Sequence, residues 1–316
     1  MTHKLIEMLA YKRPQGSDTQ KDFCIEYLHP VFGKPDRDGN YIKSIGTKPN
    51  IAFTAHHDTV HMDDGIQVVV VQNDIAKLSA NSTSNCLGAD CTTGIWLILE
   101  MIRNKIPGLY LIHSGEEIGC VGSKALVKRN PKWLNNLDAV ISFDRKGTKD
   151  IITHQMDHRT CSDAFADSLS RALGMGHEPD PTGFFTDSNE YAYKVKECTN
   201  LSVGYYSQHS KAETQDLFYA NSLLNALLTA DWGSLVFARD PSVVEYAYEN
   251  TSASGRNWYD RGPAIYQDYI ASDWDELTEL VAEYPSQVAN ILKTYGLTID
   301  DIIDEIGEKA YYRNYQ

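Results

Sequence analysis

The sequence has no apolar run approaching the roughly 18 residues of a membrane span. Its first seventeen residues scatter Lys4, Glu7, Lys12 and Arg13 among apolar ones and hold no hydrophobic core of signal-peptide length. A cytoplasmic protein with no membrane partner is therefore expected. Basic residues are scarce as well: 29 Lys and Arg face 43 Asp and Glu, for a formal net charge of -14. Such a chain is repelled by nucleic acid unless its cations cluster, and no basic cluster is present. The six cysteines (Cys24, Cys86, Cys91, Cys120, Cys161, Cys198) form no CxxC pair, so reduced thiols are expected rather than a disulfide framework. No repeat or low-complexity tract occurs, and with 42% hydrophobic residues over 316 positions the chain has what a full core requires.

What is present alternates between two periodicities. Helices are expected at residues 4–10 and 18–31, the second capped by Ser17, followed by a turn at Asp38-Gly39-Asn40. Strands are expected at 41–45, 51–55, 67–71 and 76–80. From there helix and strand alternate: helices at 92–103, 121–129, 162–173 and 219–236, with strands at 109–112, 139–143 and 201–205. This order predicts a three-layer α/β/α sandwich with a central mixed, mostly parallel sheet. The acidic charge is concentrated after residue 240, where residues 241–316 hold 14 Asp or Glu against 5 Lys or Arg. Residues 1–240 are thus expected to form the catalytic domain and 241–316 an acidic helical extension, with helices at 274–284, 286–295 and 299–311.

The polar residues of interest fall where predicted strands end. His56-His57-Asp58 follows 51–55, Glu116-Glu117 follows 109–112 by a short loop, Asp144 follows 139–143, and His209 follows 201–205. The carboxyl edge of an open α/β sheet is the usual place for ligands. Gly88-Ala89-Asp90 precedes the helix at 92–103 and adds a fifth segment. Two imidazoles and several carboxylates are the ligand mixture of zinc, enough for two ions if one carboxylate bridges. The charges agree: two Zn²⁺ are balanced by Asp90, Glu117, Asp144 and one hydroxide.

Five ordered motifs, His56-x-Asp58, Gly88-Ala89-Asp90, Glu116-Glu117-Ile118-Gly119 with Gly122-Ser123, Asp144 after an apolar strand, and His209, resemble the co-catalytic zinc exopeptidases of the M28, M20 and M42 type. The resemblance covers about residues 1–236. It implies that His56 and Asp144 bind one zinc, Glu117 and His209 the other, and that Asp90 bridges them. It further implies that Asp58 orients His56 and that Glu116 carries the proton from water to the leaving amine. A cis bond between Asp90 and Cys91 belongs to the same expectation. The M20 type inserts a lid between the positions of Asp144 and His209, and the M42 type an extra domain between the positions of His56 and Asp90. Neither interval is long enough here, which leaves the single-domain M28-like arrangement.

Other readings weigh against each residue. His57, His61 and His113 are expected to be hydrogen-bonded rather than metal-binding, and Cys91 to be a buried small side chain. The segment Thr186-Asp187-Ser188 matches the family pattern only loosely. An aminopeptidase acting on peptides or small amides is the leading expectation. The alternatives are an M20-type carboxypeptidase or N-acyl amino acid deacylase, and a non-catalytic protein of the same fold. The sequence leaves the oligomeric state open.

Overall fold

Ile51–His56, Gly108–His113 and Ala139–Arg145 are apolar runs buried along nearly their whole length, as in strands covered on both faces. In the computed structural model, which describes residues 2–156 and 158–245, they pair in parallel at the middle of a seven-stranded sheet. Glu197–Ser202 adds to them in parallel beside Ala139–Arg145. Tyr41–Ile45 closes one edge antiparallel to Gly108–His113. Asp150–Ile152 and Glu178–Asp180 make the other edge. The sheet is therefore mixed and mostly parallel, as expected.

Alternate residues of one strand point to opposite faces, and two cores follow from that alternation. Phe53, Tyr110, Ile141 and Phe143 pack toward the helices Ala89–Arg103, Asp163–Leu173 and Leu217–Thr229. Ala52, Leu111 and Val140 pack toward Leu126 of Val121–Arg129 and Tyr191 of the 3-10 turn Asp187–Tyr191. Phe53 is fully buried among the rings of Tyr110, Phe143 and Trp232, a burial that stabilises by about 3 kcal/mol. Helix ends follow local chemistry. Ser162 accepts from the Phe165 N–H, Asp216 accepts from the Tyr219 N–H, and Gly174 closes its helix in the left-handed region.

Several boundaries differ from expectation, each for a physical reason. The helix expected at 18–31 is α only over Asp18–Phe23, widens to a π turn at Cys24–Leu28 and finishes as His29–Phe32, where Pro30 has no N–H to continue an α ladder. The strand expected at 201–205 is Glu197–Ser202, buried throughout. Its polar residues are satisfied in place: the Glu197 carboxylate accepts from Ser162 N and Oγ and from the N–H groups of Ala238 and Arg239, and Thr199 donates to Ile152 O. The last helix stops at Thr229, and Asp231 then caps a short 3-10 turn, Trp232–Ser234. The strands expected at 67–71 and 76–80 are Val69–Gln72 and Ile75–Leu78, and they join a separate four-stranded sheet with Tyr205–Tyr206 and Thr214–Asp216. The Asp90–Cys91 bond is cis. The helices expected at 274–284, 286–295 and 299–311 lie outside the described residues.

Candidate metal centre

Parallel pairing of Ile51–His56, Gly108–His113, Ala139–Arg145 and Glu197–Ser202 brings the segments after each strand to one edge. His56 is fully buried there. Its Nδ1–H donates to the Asp58 carbonyl at 3.1 Å, which turns Nε2 into the cluster. There Nε2 faces Asp90 Oδ1 at 3.2 Å and Asp144 Oδ1 at 3.3 Å. On the other side, His209 Nε2 lies 3.2 Å from both Asp90 Oδ2 and Glu117 Oε1. Asp90 thus presents one oxygen to each imidazole. The donor atoms of Asp90, Glu117 and His209 lie within 4.8 Å of one another, as do those of His56, Cys91 and Asp144 and those of His56, Glu116 and Glu117.

These groups fit cations better than they fit each other. Asp144 Oδ1 and Glu117 Oε1 are buried with no hydrogen-bond donor, an expensive state for a carboxylate oxygen. Burial and the neighbouring Asp90 push Glu117 up to about 7 and Asp144 up to about 6. Burial acts on Asp90 in the same direction, but His209 and His56 outweigh it and hold that carboxyl low. Three carboxylates crowded at hydrogen-bond distance from two imidazoles, with oxygens unsatisfied, are the donor set of divalent metal sites.

Backbone contacts aim each ligand. The Asp58 carboxylate accepts the N–H groups of Gly115 and Glu116 on Oδ1 and that of Glu117 on Oδ2, at 3.0 to 3.1 Å. Asp58 meets the His56 ring through its carbonyl at 3.1 Å and through a carboxylate oxygen 3.5 Å from Nδ1. The same carboxylate joins the His56 strand to the loop that carries Glu116 and Glu117. Glu116 is half-buried beside the cluster, with Oε2 3.9 Å from His56 Nε2. Gly88 has φ of +74°, and a Cβ there would stand 2.7 Å from His61 Cε1, so the approach to Asp90 requires glycine.

Four residues beyond the sequence reading complete the frame. Asn200 bonds both the N–H and the carbonyl of Asp144, Tyr205 OH donates to the same carbonyl, and Thr186 donates to Asp144 Oδ2 at 2.7 Å. Glu213, 1% exposed, accepts the N–H groups of Leu87 and Gly88 on Oε2 and that of Asp90 on Oε1. Thr186 sat in a segment whose loose family match was the available signal. Nothing in the pattern around Glu213 marks it.

The remaining candidates are satisfied elsewhere, as expected. His57 donates to Gly39 O and accepts from Gln20. His61 sits between Thr59 and Gln67, and His113 between Asn40 and Tyr191. Cys91 donates its S–H to Phe143 O at 3.1 Å, and burial together with Asp144 pushes its thiol well up, which suits a protonated thiol. All six cysteines are free.

Fold and cluster together define a metallopeptidase. The sequence profile of peptidase family M28 matches residues 40–216, more than half of the chain, and the chain belongs to that family. It is accordingly a peptide-bond hydrolase. Similar solved structures include the aminopeptidase PepT from Bacillus cereus ATCC 10987 (TM-score 0.56, 14% identity, 72% of this chain and 96% of that one). A tripeptidase from Staphylococcus aureus subsp. aureus Mu50 has a TM-score of 0.59 at 14% identity, covering 72% and 95%. The TET1 peptidase of Pyrococcus horikoshii has a TM-score of 0.54 at 15% identity, covering 73% and 100%. At such identities the likeness is one of fold. No curated protein sequence matches the chain significantly.

Proposed function

We propose that this M28 peptidase is a two-zinc aminopeptidase of the cytoplasm, with residues 1–240 as its catalytic domain and 241–316 as an extension. The observation that carries the metal assignment is the split of Asp90, whose two oxygens each face a different histidine Nε2 at 3.2 Å. His56 and Asp144 would hold one ion, Glu117 and His209 the other, and Asp90 both. When bound, zinc supplies Lewis acidity toward the scissile carbonyl and lowers the pKa of water. The chain's own residues do the rest. Glu116 takes the proton from the attacking water at a carboxylate oxygen and hands it to the leaving amine. Asp58 keeps Glu116 and Glu117 in register with His56. Asn200, Tyr205 and Thr186 hold Asp144 still, so its free oxygen needs no reorganisation.

Aminopeptidase action is supported by the Glu116 carboxylate, which stands outside the proposed ligand set and can attract a free α-ammonium, and by the PepT neighbour, named as an aminopeptidase. Cytoplasmic residence is supported by the unpaired cysteines. No helix of the described residues is long and apolar enough to cross a membrane. Protein supplied with zinc and freed of excess should retain two ions per chain by elemental analysis. Aminoacyl-nitroanilides should be cleaved, and N-acetylation should abolish cleavage. Retention of one ion or none would remove the ligand set; preference for N-acylated substrates would move the assignment to a carboxypeptidase or deacylase.

A further inference from the structure

Beside the cluster lies a small, open cleft of about 130 Å³. Its floor is acidic, formed by Asp90, Glu116 and Asp144, and one wall is apolar, formed by Ile152, Phe184 and Phe185. Two cations, Arg145 and Lys146, also line it. They differ in one respect. The Arg145 charge is engaged: Nε donates to Asp150 Oδ2 at 2.9 Å and a terminal nitrogen to Thr182. Lys146 is exposed and its ammonium has no hydrogen bond or ion pair among the described residues.

The backbone at Lys146 is nevertheless held. Ser202 Oγ donates to the Lys146 carbonyl at 2.7 Å, Val203 N–H to the Arg145 carbonyl and Gly204 N–H to the Gly147 carbonyl, both at 2.8 Å. A rigid backbone thus carries a free cation into a cleft whose other charges are carboxylates or already paired. Lys146 follows Asp144 by two residues, a spacing of at most about 7.6 Å between Cα atoms. One residue of extended substrate spans about 3.5 Å. The ammonium therefore reaches a group one or two substrate residues away from a bond held at the cluster.

We propose that the cleft selects short peptides carrying a carboxylate one or two residues beyond the scissile bond, and that Lys146 receives that carboxylate. The inference rests on the peptidase reading above and adds its substrate class. The carboxylate has two sources, the C-terminus of a di- or tripeptide or the side chain of Asp or Glu. The apolar wall takes the body of the peptide, and the cation determines which end group is favoured. An exposed charge-assisted bond of this kind is worth on the order of tenfold in kcat/KM.

Two substrate pairs separate the sources on zinc-loaded full-length protein: Leu-Gly-Gly against Leu-Gly-Gly-amide, and Leu-Glu-amide against Leu-Gln-amide. The expected result is an acid-over-amide preference of about tenfold in kcat/KM in at least one pair, and the pair that shows it names the source. Lys146→Met should bring that ratio to about one, Lys146→Glu should invert it, and Lys146→Arg should keep it. Equal cleavage of acid and amide in both pairs overturns the proposal, as does a preference that survives Lys146→Met. Failure to cleave any of the four peptides is a different result, which removes the peptidase reading and this proposal with it.

Discussion

Glu116 and Glu117 are neighbours in sequence with different fates. Glu117 faces His209, whereas Glu116 stands off at 3.9 Å from the His56 nitrogen, close enough to serve a water at the cluster. Glu116→Gln removes the proton carrier while preserving shape. The variant should bind two metals yet turn over about 10²-fold more slowly, as checked by steady-state kinetics beside metal analysis. Near-normal turnover would sink the role. The residue types of this site were legible from sequence because a carboxylate or imidazole after an apolar strand has few bland uses in that number. The atoms each residue uses were not: Asp58 meets His56 through its carbonyl as well as a carboxylate oxygen, and that carboxylate also takes the N–H groups of the loop at 115–117, a contact set by how the loop returns to the sheet.

At the scale of elements, the segment before helix Ala89–Arg103 is held from outside itself. Glu213 lies next to strand Thr214–Asp216, which pairs with Ile75–Leu78, and its carboxylate takes three N–H groups between Leu87 and Asp90. The His209 loop and the Asp90 segment are thereby one unit. Glu213→Ala leaves those donors buried and unpaired, at a cost of about 1–3 kcal/mol for each that finds no water. A stability loss of about 3 kcal/mol or more and weaker zinc binding are expected, with Glu213→Gln intermediate. Denaturant melts and calorimetric zinc titrations measure both; an alanine variant with unchanged midpoint and affinity would refute the coupling. Glu213 escaped sequence reading because a glutamate between polar residues looks like solvated surface until the fold buries it.

At the scale of the whole molecule, burial holds neutral three histidines that are not among the proposed ligands. Burial lowers His61 and His177 to about 4 and His113 to about 3. Their unfolded values lie near 6.5, so between about pH 6.5 and 4 the unfolded chain binds more protons than the native one. Stability from this source is complete above pH 6.5 and is lost as pH falls, by up to about 1.4 kcal/mol per pH unit for each histidine. Urea melts from pH 7 to 4.5 should show midpoints dropping with acid, and His177→Gln, which removes one titrating group bonded to Tyr219, should flatten that slope. A midpoint independent of pH across this window would contradict neutral burial.

The sequence by itself determined the layer order and pointed to the site's residues, because apolar strands expected at 51–55, 109–112 and 139–143 announce a buried parallel sheet, and a parallel sheet delivers whatever follows its strands to one edge. Its expectation that His57, His61 and His113 would be hydrogen-bonded side chains agrees with their partners in the structure. Tertiary structure alone decided the supporting contacts. Asn200 on a strand with polar residues, Thr186 in a loosely matching segment, and Glu213 lie from 42 to more than 120 residues away from the backbone or side chain they hold. Such bonds obey no local periodicity. They exist because buried donors and acceptors must be paired, and which partner is near is known only once the layers have packed.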